Sequence, residues 1–241
     1  MMKKLSLLLL AGLLVCSLTA CDDDGAAPAP ANDQSDALAL DATHFPDAAF
    51  RDALSAQVDR NGDGQLSDKE IRQADELNLS NSGIASLQGI EYLTALEELE
   101  VDGNQLTTLD LRKNTRLEEL DCSYNQLTQL NLSANTALQA LDCLSNQLTS
   151  LDVSKNLRLE ELDCENNQLT ALDLSQNNAL EELNCSSNQL TQLDLSANTH
   201  LEDLACNNNQ LTTLDITSTQ VEDLRYDTNT VQLIGTVRAD D

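Results

Sequence analysis

Leucines recur along residues 96 to about 231 at fixed offsets between short polar stretches: Leu117, Leu120, Leu127, Leu130 and Leu132, with Leu138 opening the next unit. Within residues 117–122 and 130–132 the apolar positions alternate with polar ones, the period of a strand that is buried on one side. Asn125, Asn146, Asn167, Asn188 and Asn209 fall 21 residues apart, each followed by Gln and Leu. Cys122, Cys143, Cys164, Cys185 and Cys206 keep the same beat three residues earlier. A chain that repeats at this period must stack its turns to bury their leucines, so the pattern predicts a solenoid. The second half of each unit, Leu130-x-Leu132-x-x-Asn135, nearly copies the first. Each turn is therefore expected to carry two short strands, and the coil two parallel sheets, with Leu, Cys, Val and Ile as the interior.

The first half of the unit matches L-x-x-L-x-[L/C]-x-x-N-x-L, in which the asparagine side chain bonds backbone groups of the turn. With its L-D-C-x-x-N-Q-L-T-x-L-D-L-S-x-N-T blocks, the stretch 96–230 resembles the 21-residue leucine-rich repeats of bacterial envelope proteins. Residues 77–95, with Leu77, Leu79, Ile84, Leu87, Ile90 and Leu93, resemble instead the 22-residue internalin-like form, which implies a short helical turn on the back. Terminal repeats differ because they cap the core. At the far end Thr219 replaces the second-half asparagine, Val221 arrives one residue early and Tyr226 takes the cysteine slot. Val231, Ile234 and Val237, in the segment 231–241, are expected to form a closing strand.

Ahead of the repeats, Phe50, Leu54 and Val58 lie on one face of a predicted helix, with Pro46 suited to its first turn. Then comes Asp59-Arg-Asn61-Gly-Asp63-Gly64-Gln65-Leu66-Ser67-Asp-Lys-Glu70. Oxygen-bearing side chains at places 1, 3 and 5, glycine at 6, an aliphatic residue at 8, serine at 9 and glutamate at 12 fit an EF-hand calcium loop. A hard Ca2+ needs six to eight oxygens; Asp59, Asn61 and Asp63 would supply three, and the turn at Gly64 wraps them round the ion. Gln65 would add its carbonyl, Ser67 would act directly or through water, and Glu70 would close the far side. Residues 67–70 also read as a capping box before a second, shorter helix. Residues 43–76 are thus expected to form a helical, EF-hand-like cap holding a structural Ca2+.

Composition sets the address. Met1-Met2-Lys3-Lys4, an apolar run from Leu5 to Val15, and Leu18-Thr19-Ala20-Cys21 describe an export signal over residues 1–20. The tetrad L-T-A-C resembles the lipobox of bacterial lipoproteins, which implies cleavage before Cys21 and lipidation of its thiol, a membrane anchor. Residues 21–42 are polar and rich in Ala and Pro at their start and read as a disordered tether, in a protein exposed to periplasm or cell surface. The formal charge is −28. Such a charge argues against nucleic acid as a partner and favours cations or basic surfaces. The repeat cysteines are expected to be buried free thiols, because parallel strands aim their Cβ atoms the same way. A metal-binding thiol column is the alternative reading.

Acidic residues fill the positions between the structural columns. Glu97, Glu98, Glu118, Glu119, Glu160, Glu161, Glu181 and Glu182 sit between the paired leucines of the first-half strands. Glu100, Asp121, Asp142 and Asp163 follow the second leucine, and Asp110, Asp152, Asp173, Asp194 and Asp215 mark the second half. Like charges about 4.8 Å apart repel, at a cost that cations or a basic partner offset. Two readings are open: solvated faces that keep the sheets from pairing edge to edge, or a recognition surface for a basic protein or glycan-bearing partner. His44 and His200 have no nucleophile motif near them, and the cysteines lack an adjacent base, so a non-catalytic binding module is expected. The alternative is a passive envelope scaffold.

Overall fold

The computed structural model describes residues 37–238. The export signal, Cys21 and the tether through residue 36 lie outside the described residues. In chain order the elements are β1 (Leu38–Ala39), α1 (Ala48–Gln57), β2 (Gln65–Leu66), α2 (Asp68–Arg72), β3 (Glu76–Asn78), a 3-10 turn (Ile90–Tyr92), β4 (Glu98–Glu100), β5 (Glu119–Asp121), β6 (Ala140–Asp142), β7 (Glu161–Asp163), β8 (Glu182–Asn184), β9 (Asp203–Ala205), β10 (Thr213–Asp215), β11 (Asp223–Arg225) and β12 (Gln232–Ile234). Among the described residues no helix is long and apolar enough to cross a membrane.

One strand from each coil enters an eight-stranded parallel sheet, ordered β11-β9-β8-β7-β6-β5-β4-β3. Its register sets Leu77, Leu99, Leu120, Leu141, Leu162, Leu183 and Leu204 side by side. These leucines are buried, together with Cys122, Cys143, Cys164, Cys185 and Cys206, which are free thiols. A fully buried leucine contributes about 1.5–3 kcal/mol, so repetition builds a core without tryptophan.

The asparagine at the end of each first-half turn ties successive coils together. Asn125 donates through Nδ2 to the carbonyls of Val101 and Cys122, and its Oδ1 accepts the Leu106 amide. The residue before it lies in the left-handed region: Gly103, Tyr124, Ser145, Asn166, Ser187 and Asn208 all have φ between +51° and +64°, as does Asn81 before Ser82 in the first repeat.

The second sheet is present only in pieces. Among the described residues, pairing on that face is confined to the bridge Asn131–Asp152 and to β10 with β12. A second asparagine column runs along this face. The Leu111 carbonyl accepts the Asn114 amide, closing a turn, and also Nδ2 of Asn135 from the next coil. The carbonyls of Leu132, Val153 and Leu174 are used in the same way. In the last coil, where Thr219 stands in place of asparagine, its amide and Oγ1 both bond Ile216 O. There β12 pairs with β10, so the closing strand joins this face, with Ile234 and Val237 exposed.

The cap closes the other end. Helix α1 starts later than expected, leaving Pro46 outside its first turn: Asp47 is its N-cap, accepting the Phe50 amide, and Pro46 precedes the cap. Phe45 packs edge-on against Phe50 and Tyr92 and lies directly over Gly89, where a Cβ would come within 2.3 Å of its ring. The other oxygen of Asp47 accepts the amides of Ala85 and Ser86 in the first repeat. Gln57 covers the edge of β3, donating to Asn78 O and accepting from Asn78 N. The cap also begins earlier than residue 43, because β1 pairs antiparallel with β2 and takes up the end of the segment expected to be tether.

Candidate functional site

The exposed face of the long sheet carries two columns. One runs Glu76, Glu98, Glu119, Ala140, Glu161, Glu182, Asp203 and Asp223, and the other Asn78, Glu100, Asp121, Asp142, Asp163, Asn184, Ala205 and Arg225. From β4 to β9 neither column holds a basic residue. Glu97, Glu118, Glu160 and Glu181 form a third line one residue earlier, at the entry to the strands. Near the cap these lines meet: Asp75, Glu76, Glu97, Glu98, Glu118 and Glu119 line a shallow recess of about 140 Å³. Arg116 pairs with Glu97 at its rim.

Glu98, Glu119, Glu161, Asp121, Asp142 and Asp163 are half-buried rather than freely solvated, and that changes their chemistry. Burial, followed by the charges of Glu119, Glu76 and Glu100, lifts Glu98 to about 7. Glu119 and Glu161 are raised by the same two causes. Asp142 also reaches about 7, through burial first and then Asp121 and Asp163, against the opposing hydrogen bonds from Ser123 and Leu144. Glu98, Glu119 and Glu161 accept no hydrogen bond from the described residues.

The acidic line on the second half is of a different kind. Asp152, Asp173, Asp194 and Asp215 each accept the amide two residues on, from Ser154, Ser175, Ser196 and Thr217. Those bonds form the turn and hold all four carboxylates below their ordinary range. Arg112 clamps Asp110 and brings it to about 2. These aspartates are accounted for by the backbone they fold, whereas the glutamates of the sheet face are not.

The loop at residues 59–70 has the turn chemistry its sequence implies. Asp59 accepts the amides of Gly62 and Gly64, Asn61 that of Asp63, and Asp63 that of Gln65. Gly62 and Gly64 take φ of +70° and +78°, which glycine reaches at no steric cost. Ser67 and Glu70 form a reciprocal capping box. The same Glu70 bridges the loop, accepting Arg60 and Asn61 amides on Oε1 and the Ser67 amide and hydroxyl on Oε2. Burial opposes its ionisation, but these bonds prevail and its pKa is lowered. Among the described residues no three His, Cys, Asp or Glu side chains form a ready metal cluster. The loop offers a mixed oxygen set instead, three carboxylates with amide, hydroxyl and carbonyl oxygens, which is hard-cation chemistry and excludes a soft metal.

The remaining candidates fold into the scaffold. His44 contacts Asp41 at 2.9 Å and His200 the carbonyl of Asn178 at 3.1 Å. Burial pushes every repeat thiol up, Cys206 to about 12, so the thiolate is suppressed throughout the column. Sequence reading missed Tyr124, a residue 59% exposed in the turn after β5, in a left-handed position that the other coils give to Asn, Ser or Gly.

No protein-family model matches the chain. Over 71 residues, 30% of this chain, the sequence is 39% identical to Internalin J of Listeria monocytogenes, of which the match covers 8%. Internalin C2 of the same organism superposes with a TM-score of 0.57 at 21% identity, covering 83% of this chain and 98% of that one. The functional domain of Internalin J, described as including a cysteine ladder, is 30% identical over 81% of this chain and 55% of its own, with a TM-score of 0.43. The fold is that of an internalin-like leucine-rich-repeat solenoid.

Proposed function

We propose that the chain is a non-catalytic binding module of the bacterial cell envelope, held by lipid at Cys21, that takes a basic protein segment on its long sheet. The observation that carries this reading is the contrast between its two acidic faces. Second-half aspartates are used by their own turns, while Glu98, Glu119 and Glu161 are partly desolvated, repel neighbouring carboxylates and accept no hydrogen bond from the described residues. Carboxylates so placed gain most from cationic groups brought against them, and complementary charge also speeds encounter. A lysine-rich peptide should bind the full chain measurably by calorimetry and weaken steeply with salt. Reversal of Glu118, Glu160 and Glu181 to Lys should abolish that binding; unchanged affinity would place the site elsewhere.

The cap is read as a calcium site in which Asp59, Asn61, Asp63, Gln65, Ser67 and Glu70 would hold the ion. Ca2+ supplies charge neutralisation and a cross-link across the loop, a structural contribution. The chain's own residues do the rest: Asp59 and Asp63 fix the turn, and Glu70 spans from loop entry to helix α2. Heat on Ca2+ addition, lost in Glu70→Gln, tests it. The anchor rests on the L-T-A-C tetrad; mass spectrometry of the N-terminal peptide should find acylated Cys21, and Cys21→Ser should free the protein from membranes.

A further inference from the structure

We propose that strand β1 completes the calcium loop in place of a second loop, so that Ca2+ and the chain entering the cap hold one another. This rests on the calcium reading above and adds to it a second function for the loop, as a clamp on the residues that lead into the fold.

The sequence has one loop of this type, yet the short strand it contains is not left unpaired. Leu38 lies opposite Leu66 and Ala39 opposite Gln65, antiparallel, and the Leu40 amide donates to Gly64 O at 3.0 Å. Gly64 is the hinge of the connection. Its own amide donates to Asp59 Oδ2 at 2.9 Å, and the next amide, of Gln65, donates to Asp63 Oδ1 at 2.9 Å. A path of hydrogen bonds thus runs from Asp63 through the Gly64–Gln65 peptide unit to the backbone of Leu40, while Asp59 holds the peptide unit just before it. Ala37 lines the same recess of about 340 Å³ as Asn61, Asp63, Ser67 and Glu70.

Two paired residues on each side make a ladder too short to be stable alone. Leu38 and Leu40 pack only partly against the core, while Leu66 on the receiving strand is fully buried. The strand's hold therefore depends on how firmly β2 and Gly64 are fixed, and an ion coordinated by Asp59, Asp63 and the Gln65 carbonyl fixes that segment. Two events that each order the same peptide units favour one another, and the coupling is reciprocal.

Hydrogen exchange on the full chain, with Ca2+ and with chelator, tests this directly. Ca2+ should slow exchange of the Leu38 and Leu40 amides about tenfold, leaving β4 to β9 unchanged. Leu40→Pro, which deletes the donor to Gly64, should weaken Ca2+ binding by about the same factor. Glu70→Gln should remove the calcium response of both amides. If the wild-type chain binds Ca2+ calorimetrically while those amides exchange at one rate, and Leu40→Pro binds as well as wild type, the clamp is refuted and the calcium site stands. Absence of any calcium heat overturns the site and the clamp together.

Discussion

The side-chain amide of Asn146 donates to the backbone carbonyl of Cys122, one coil earlier, at 3.0 Å. Its Oδ1 meanwhile accepts the Leu127 amide, so one side chain satisfies donors and acceptors of two coils at once. The second column is less complete: Asn135 donates to Leu111 O and Asn114 O, but its Oδ1 has no hydrogen-bond partner, as in Asn114, Asn156, Asn177 and Asn198. Asn146→Ala leaves buried groups unpaired on both coils and should cost about 3 kcal/mol. Asn135→Ala removes an unpartnered carbonyl along with its two donors and should cost about half as much. Urea denaturation of the two variants checks the order; equal losses would mean that the second column is fully satisfied.

The two halves of the repeat differ in how far the sequence could be read. Leu120 and Leu130 each open the same alternating pattern, and period alone assigns both to strands. The first half pairs over three residues in each coil from β3 to β9, whereas among the described residues the second half pairs only at Asn131–Asp152 and between β10 and β12. Pairing is a contact between coils, and the period of a single unit leaves no mark of it. The left-handed turn position was hidden for a related reason, since Asn, Gly, Ser and Tyr share it and no residue type announces it. The turns of the loop at residues 59–70 were legible because the side chains that form them are local in sequence, whereas its pairing with β1 depends on residues more than twenty positions away.

Gly89 should be the least replaceable residue at the cap junction. Its φ of +105° disfavours any side chain, and an added Cβ would meet the Phe45 ring at 2.3 Å and His44 O at 2.7 Å. Phe45 is itself fully buried and cannot swing aside without opening the core. Gly89→Ala should cost at least about 2 kcal/mol through strain and overpacking. Limited proteolysis should then cut between the cap and β3 before the repeats unfold; a protease-resistant junction would contradict the packing assigned to Phe45.

Stability should rise on mild acidification, contrary to the usual behaviour of carboxylate-rich proteins. Glu98 and Asp142 titrate near 7 in the folded chain, against about 4 when unfolded. Between those values the folded state binds more protons, so unfolding free energy increases as pH falls from about 7 towards 4 and is lost as pH rises through the folded value. Glu70 and Asp47 act in the opposite sense: their folded pKa values are lowered, and their contribution disappears as pH falls below 4. Thermal unfolding with chelator present should show a maximum near pH 5. Replacing Glu98 by Gln and Asp142 by Asn should flatten the slope between pH 5 and 8 and stabilise the protein at pH 8 by on the order of 1 kcal/mol, after allowance for solvent screening.

Tyr124 makes the opposite kind of prediction, a substitution that improves the fold. Its φ of +51° is a conformation in which an L side chain crowds the following carbonyl, and the residue is 59% exposed, gaining little burial in return. Asn166 and Asn208 occupy the same turn at φ of +54° and +56°, and asparagine tolerates that region better than an aromatic residue does. Tyr124→Asn should therefore stabilise the chain by roughly 0.5–1 kcal/mol, raising the melting temperature by a few degrees. Tyr124 follows Asp121 of the acidic column by three residues and is exposed, and an aromatic group in reach of that column would add to the capture of a lysine or arginine side chain. The same variant should then bind a lysine-rich peptide more weakly while melting higher. A gain in stability with no loss of binding would confine Tyr124 to the turn and remove it from the docking surface.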